Sequence, residues 1–195
     1  LAGDFKGHIT IRNKNATNDW SYSKASEFDL SVTPIAEVPI AEIEALSDLN
    51  HDGKADNHQK FYVNKDVLLE FTVKAADLDS SEQLNSVSLS GLKDASGQIR
   101  GSIVDISGNP VGTLNSSGEV EFSDAEIEKF ITANSTHALY FKPQQDFTGN
   151  VDLTIHATSK DGEALSQVSS ASTAFEIQDG DVALNYISFS VSDSA

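Results

Sequence analysis

Three features of the sequence predict an all-β fold, an antiparallel β-sandwich with one short helix. Segments 7–11, 28–32, 86–89, 150–155 and 187–191 alternate apolar with polar residues, the two-residue period of a strand with one buried face. Gly, Asn, Asp and Ser cluster between these segments, and such residues make tight turns. Helical periodicity is scarce, so the strands stack as two sheets rather than alternate with helices about a parallel sheet.

Along the chain, Asp4-Phe5-Lys6-Gly7-His8-Ile9-Thr10-Ile11 opens a strand pair that ends near Val32. A similar run, Asp146-Phe147-Thr148-Gly149-Asn150-Val151-Asp152-Leu153-Thr154-Ile155, opens one that ends near Ile177. A pattern met twice predicts a tandem array. Residues 1–36 are then the terminal strands of a preceding module, residues 37–180 form a sandwich, and residues 181–195 make a C-terminal strand or the linker to a next module. In the alternative, residues 1–36 add a strand pair to the same domain. Pro34 and Pro39 keep the connector 33–39 extended and stiff. Residues 40–46 follow Pro39 and run into an acidic loop, which leaves helix and strand both open there. Segments 61–63 and 67–73 are aromatic and β-branched, which suits strands. The one expected helix covers residues 124–132, where Ser123 and Glu126 form a Ser-x-x-Glu capping box and Ile127, Phe130 and Ile131 recur at helical spacing.

The acidic loop, Asp48-Leu49-Asn50-His51-Asp52-Gly53-Lys54-Ala55-Asp56, carries the most specific chemistry. Oxygen-bearing side chains stand at positions 1, 3, 5 and 9 (Asp48, Asn50, Asp52, Asp56), glycine stands at position 6, and Lys54 at position 7 offers its backbone carbonyl. A hard cation wants about six to eight oxygens, and this spacing wraps them round one point, so Ca²⁺ is the expected ligand. Position 12 is Gln59 where an EF-hand has a bidentate Glu, and strand-like residues follow; the expectation is a calcium-binding loop between β elements. The alternative is an Asp-Gly turn with solvated acids.

Composition sets the surroundings. The chain of 195 residues has 30 acidic and 13 basic residues, a formal charge of −17, which argues against nucleic acid or an anionic membrane surface as partner. No apolar run approaches the roughly 20 residues of a membrane span. There is no cysteine and no methionine, and with Leu1 at its start the chain reads as part of a longer polypeptide. A secreted bacterial protein stabilised by calcium needs no disulfide, and extracellular Ca²⁺ fills even weak sites of about 10⁻⁴–10⁻³ M.

The stretch Ala75-Ala76-Asp77-Leu78-Asp79-Ser80-Ser81-Glu82-Gln83-Leu84 resembles the Asp-x-Asp-Gly-Ser-Glu-x-Leu element of cadherin-like and Ig-like repeats in large bacterial adhesins of the RTX type. Pro143-Gln144-Gln145-Asp146-Phe147-Thr148-Gly149 and the later Asp161-Gly162 are similar to that family's strand entry and turn. The resemblance implies a Ca²⁺-stabilised module of a secreted cell-surface adhesin, an extender or a ligand-presenting domain. It makes Asp77, Asp79 and Glu82 calcium ligands, although Ser80 replaces the usual Gly. Asp179 and Asp181, in Asp-Gly-Asp, are a third candidate pair at the module's end, or a common turn. The expected partners are neighbouring modules of the same chain and a host or surface peptide or glycan, with the module itself a monomer.

Catalysis finds little support in the residues. The five histidines lack the helical i, i+4 spacing of a zinc site, and no nucleophile elbow, phosphate loop or dinucleotide fingerprint occurs. Asp124/Glu126 or Glu42/Glu44 would serve glycoside hydrolysis only across a cleft, and helix capping explains Glu126 better. Trp20 and Tyr22 offer stacking faces for a sugar, or a packed strand face, which the two-residue period favours. A non-enzymatic role is expected.

Overall fold

A computed structural model describes residues 3–22, 25–56, 59–76, 81–132, 135 and 137–180. Strands dominate, as expected: β1 (Gly3–Ile9), β2 (Arg12–Lys14), β3 (Trp20–Tyr22), β4 (Ser26–Val32), β5 (Ile40–Ser47), β6 (Phe61–Tyr62), β7 (Val67–Lys74), β8 (Gln83–Ser90), β9 (Gly101–Asp105), β10 (Thr113–Leu114), β11 (Val120–Glu121), β12 (Leu139–Pro143), β13 (Gly149–Asp161), β14 (Ala164–Leu165) and β15 (Ser169–Gln178). The expected strand 187–191 lies outside the described residues. No helix among them is long and apolar enough to cross a membrane.

Two sheets make the sandwich. One runs β10-β11-β8-β13-β15-β6 with β14 beside β13; the other runs β5-β7-β12-β9. Every pairing is antiparallel except the two-residue parallel pair of β15 with β6. The period of two works as the sequence predicts: Val151, Leu153, Ile155 and Ala157 of β13 point inward with Val87 and Leu89 of β8, and meet Leu69, Val73, Leu139 and Phe141 of the other sheet. Burying an aliphatic or aromatic side chain of this size contributes roughly 1.5–3 kcal/mol each, so this layer holds the domain.

Residues 40–46 are settled as strand. β5 pairs with β7 over its full length, from Ile40 opposite Lys74 to Ser47 opposite Val67, and Glu42 and Glu44 face solvent while Ala41, Ile43 and Ala45 turn inward. Short segments take the structure their neighbours offer, and β7 offers a full ladder of partners. The expected helix is present over 124–131, but only its first turn is α: α1 (Asp124–Glu126) passes into a π turn (Ile127–Ile131). In it the Thr132 N–H reaches back five residues to the Ile127 carbonyl at 3.1 Å. That wider turn still buries Ile127, Phe130 and Ile131. The stretch 97–118 contains β9, β10 and two tight turns, so little of it is irregular.

The four strands between residues 3 and 32 pair with one another. β1 lies antiparallel to β4 and β2 to β3, and neither ladder joins the sandwich sheets. Without a second layer, Trp20 and Tyr22 are exposed rather than packed; the Arg12 guanidinium and the Lys14 ammonium stand 4.6 and 5.2 Å from the Trp20 ring centroid instead.

Candidate metal centre

The loop 48–56 leaves β5 and folds over the outer face of the four-stranded sheet. Beneath it sits a second apolar cluster of Leu46, Leu68, Val104 and Tyr140, with Ala138 at its edge. The runs Val67-Leu68-Leu69 and Leu139-Tyr140-Phe141 break alternation because both faces of the sheet are covered here.

Asp48 anchors the loop. It is 3% exposed, and its Oδ1 accepts the Asp52 N–H at 3.1 Å while Oδ2 accepts the Gly53 N–H at 2.9 Å. The buried Tyr140 hydroxyl donates to the same Oδ2 at 2.7 Å. Burial alone would raise this carboxyl's pKa; the bonds from Tyr140, Gly53, Asp52 and His51 outweigh it and hold the group below the ordinary carboxylate value. Burial, followed by the bond to Asp48, drives the Tyr140 hydroxyl upward, so the pair stays carboxylate and phenol across ordinary pH.

Asp56 closes the neck: its N–H donates to the Ser47 carbonyl at 2.7 Å and its Oδ2 accepts the Leu49 N–H at 2.6 Å. Gly53 has a φ of +82°, which only glycine adopts without strain, and lies close to Tyr140 and Ile106. Asn50 donates to Asp52 Oδ2 at 3.1 Å, and Asp52 Oδ1 accepts the Lys54 N–H at 3.0 Å. His51 turns away from these oxygens, stacking on Tyr140 with centroids 4.3 Å apart and placing Nε2 3.1 Å from the Ile106 carbonyl.

Of the other predicted ligands, Glu82 and Asp179 fall among the described residues. Glu82 is buried, and its Oε1 accepts the Glu37 N–H at 2.6 Å; the Ser159 hydroxyl donates to the Glu37 carbonyl. Together they clamp the connector onto the sandwich. Asp77 and Asp79 lie outside the described residues, as does Asp181, and Asp179 is exposed just past β15. Among the described residues, no group of three or more His, Cys, Asp or Glu side chains is gathered as a metal site. Glu126 is occupied with capping: its Oε2 accepts the Ser123 N–H at 2.8 Å, and its Oε1 the Gly112 N–H at 2.8 Å.

Beside the loop runs a groove of about 410 Å³ whose walls include Asp52, Lys54, Ile106, Lys129, Phe130 and His137. Sequence spacing gave no sign of it, because its walls come from three separate connections. Tyr140 was equally hidden as a partner of Asp48, 92 residues away in sequence. Its trace was the apolar run on β12.

A scan against protein-family models finds no match, and a search of the curated proteins likewise finds none.

Proposed function

We propose that this chain is a non-enzymatic, calcium-stabilised β-sandwich module of a secreted bacterial cell-surface adhesin, a spacer between neighbouring modules that supports adhesion or biofilm formation. The observation that carries it is the 48–56 loop: an acidic loop anchored through a buried carboxylate, turned at a glycine in the left-handed region, and closed at its ninth residue. The donors it offers are oxygens, from Asp48, Asn50, Asp52, Asp56 and the Lys54 carbonyl, and its only imidazole is engaged elsewhere. That set fits a hard cation such as Ca²⁺ better than zinc.

Because the loop covers the Leu46/Leu68/Val104/Tyr140 cluster, an ion that holds the loop also holds that cluster. By linkage it adds about 2.7 kcal/mol at a hundredfold excess over Kd. Calorimetry with calcium and with EDTA tests this. The melting temperature is expected to fall by about 5–11 °C on chelation, at roughly 2–4 °C per kcal/mol; an unchanged melt overturns the calcium reading.

The groove favours a second reading, in which the same module binds a peptide or glycan beside the ion. Phe130 and Ile106 give it apolar walls and Lys54 and Lys129 give it cations, the mixture from which ligand sites are built. A glycan and peptide array run with and without calcium separates the two, since a spacer gives no calcium-dependent signal.

A further inference from the structure

The ribbon of β1 and β4 is two-faced. Lys6 stands opposite Asp29 and His8 opposite Glu27 on one side, with ion-pair distances of 3.8 and 3.9 Å. The other side carries Phe5, Ile9, Phe28, Leu30 and Val32, between 37% and 56% exposed. The Phe28 ring lies across Gly7, which faces it in the ladder. A two-stranded ribbon is marginal alone in water, and a contiguous apolar face of this kind marks an interface.

The chain itself shows what covers such a ribbon. β13 and β15 repeat it in sequence, Asp146-Phe147-x-Gly149 answering Asp4-Phe5-x-Gly7 and Phe175-Glu176-Ile177 answering Phe28-Asp29-Leu30. They also repeat its path. In each, a long strand ends in a short paired ribbon, β2 with β3 or β13 with β14, before the chain returns along the first strand. The registers differ by two residues, Gly7 opposite Phe28 against Gly149 opposite Ile177, and a shift of two keeps every side chain on its face. On β13 and β15 the face in question, Val151, Leu153, Ile155, Phe175 and Ile177, is at most 7% exposed. It packs on the β5 sheet, where Phe175 meets Phe141 edge-on at 5.7 Å and the Ala45 N–H reaches the Thr173 hydroxyl.

We propose that the apolar face of β1 and β4 is the inner face of a second sandwich, covered by amphipathic antiparallel strands of the β5–β12 kind that lie N-terminal to β1 in the polypeptide. A second copy of this chain fits less well. Among the described residues, the inner face of its four-stranded sheet is already covered by β13 and β15.

The test grafts residues 37–145 ahead of Asp4 in the otherwise full chain, so that the ribbon follows the strands β13 follows. Hydrogen exchange is read on the amides of 5–9 and 26–32, with those of 149–157 as the internal reference for an intact sandwich. Protection in the ribbon is expected to rise at least about tenfold over the ungrafted chain, and L30D in the graft is expected to abolish the gain. Unchanged ribbon exchange while 149–157 stays protected overturns the proposal. So does protection in the ungrafted chain that grows with concentration alongside a dimer in sedimentation, which would make a second copy the occupant.

Discussion

Replacing Tyr140 with Phe isolates the bond that ties the loop to the sheet. The ring is fully buried and keeps its packing, so the change removes one hydroxyl donor, 2.7 Å from an ionised and buried carboxylate. A hydrogen bond to a charged group contributes about 1.5–3 kcal/mol, and a domain of this size loses about 2–4 °C of melting temperature per kcal/mol. The variant is therefore expected to melt about 3–12 °C lower at neutral pH, read by calorimetry on both proteins. The deficit carries its own control. As acid protonates Asp48 the lost bond becomes one between neutral groups, about 0.5–1.5 kcal/mol, so the gap narrows by roughly half as pH falls toward the lowered folded value of Asp48. Equal melting temperatures at neutral pH, or a deficit indifferent to acid, would refute the coupling of loop and sheet.

Acid alone will weaken the native chain. Asp48 and Glu126 both have folded pKa values below their unfolded ones, because backbone and side-chain donors outweigh the effect of burial. Their stabilisation is thus complete above the unfolded carboxylate value of about 4 and drains away as pH falls through the lower folded values; urea midpoints between pH 7 and 3 should stay flat and then drop, and a midpoint that rises into acid contradicts this. Gly108→Ala places a side chain in open space at a φ of +81°, so its whole cost is the left-handed backbone, about 1–2 kcal/mol. Gly108→Asn should cost less, and denaturant unfolding compares the two directly.

That last prediction rests on a device used four times among the described residues. Asn15, Asp94, Asp105 and Asn115 each begin a five-residue hairpin turn whose first residue bonds the carbonyl of the fifth, and whose fourth N–H returns to the first. The fourth residues, Asn18, Gly97, Gly108 and Gly118, all have φ between +73° and +89°. In every case the leading side chain also accepts the N–H four residues on. These turns were legible in sequence as Asn or Asp followed three residues later by Gly or Asn, because the chemistry is local. So was the core, since alternation on β8 and β13 names its residues one by one. What stayed hidden depends on partners far along the chain: the strand state of 40–46, set by β7; the bond from Tyr140; and the groove walled by three connections. The repeat was visible from Asp4 and Asp146, yet only the ladders show that one apolar face is covered and the other bare.

The same turns sharpen the meaning of the acidic charge. An excess of Asp invites a cation reading everywhere, but Asp94 and Asp105 are half-buried turn-formers: neighbouring Ser96 and Asn109 side chains, with backbone N–H groups, lower their pKa values. Asp48 differs in pattern and place. It accepts N–H groups four and five residues on, where the hairpin turns use two and four, so its loop is wider. It is also buried against a tyrosine on another strand, which no hairpin turn requires. A carboxylate that serves only a turn spends its hydrogen bonds on its own five residues. Asp48 accepts one from the sheet, and this tie to Tyr140 sets its loop apart from the hairpin turns.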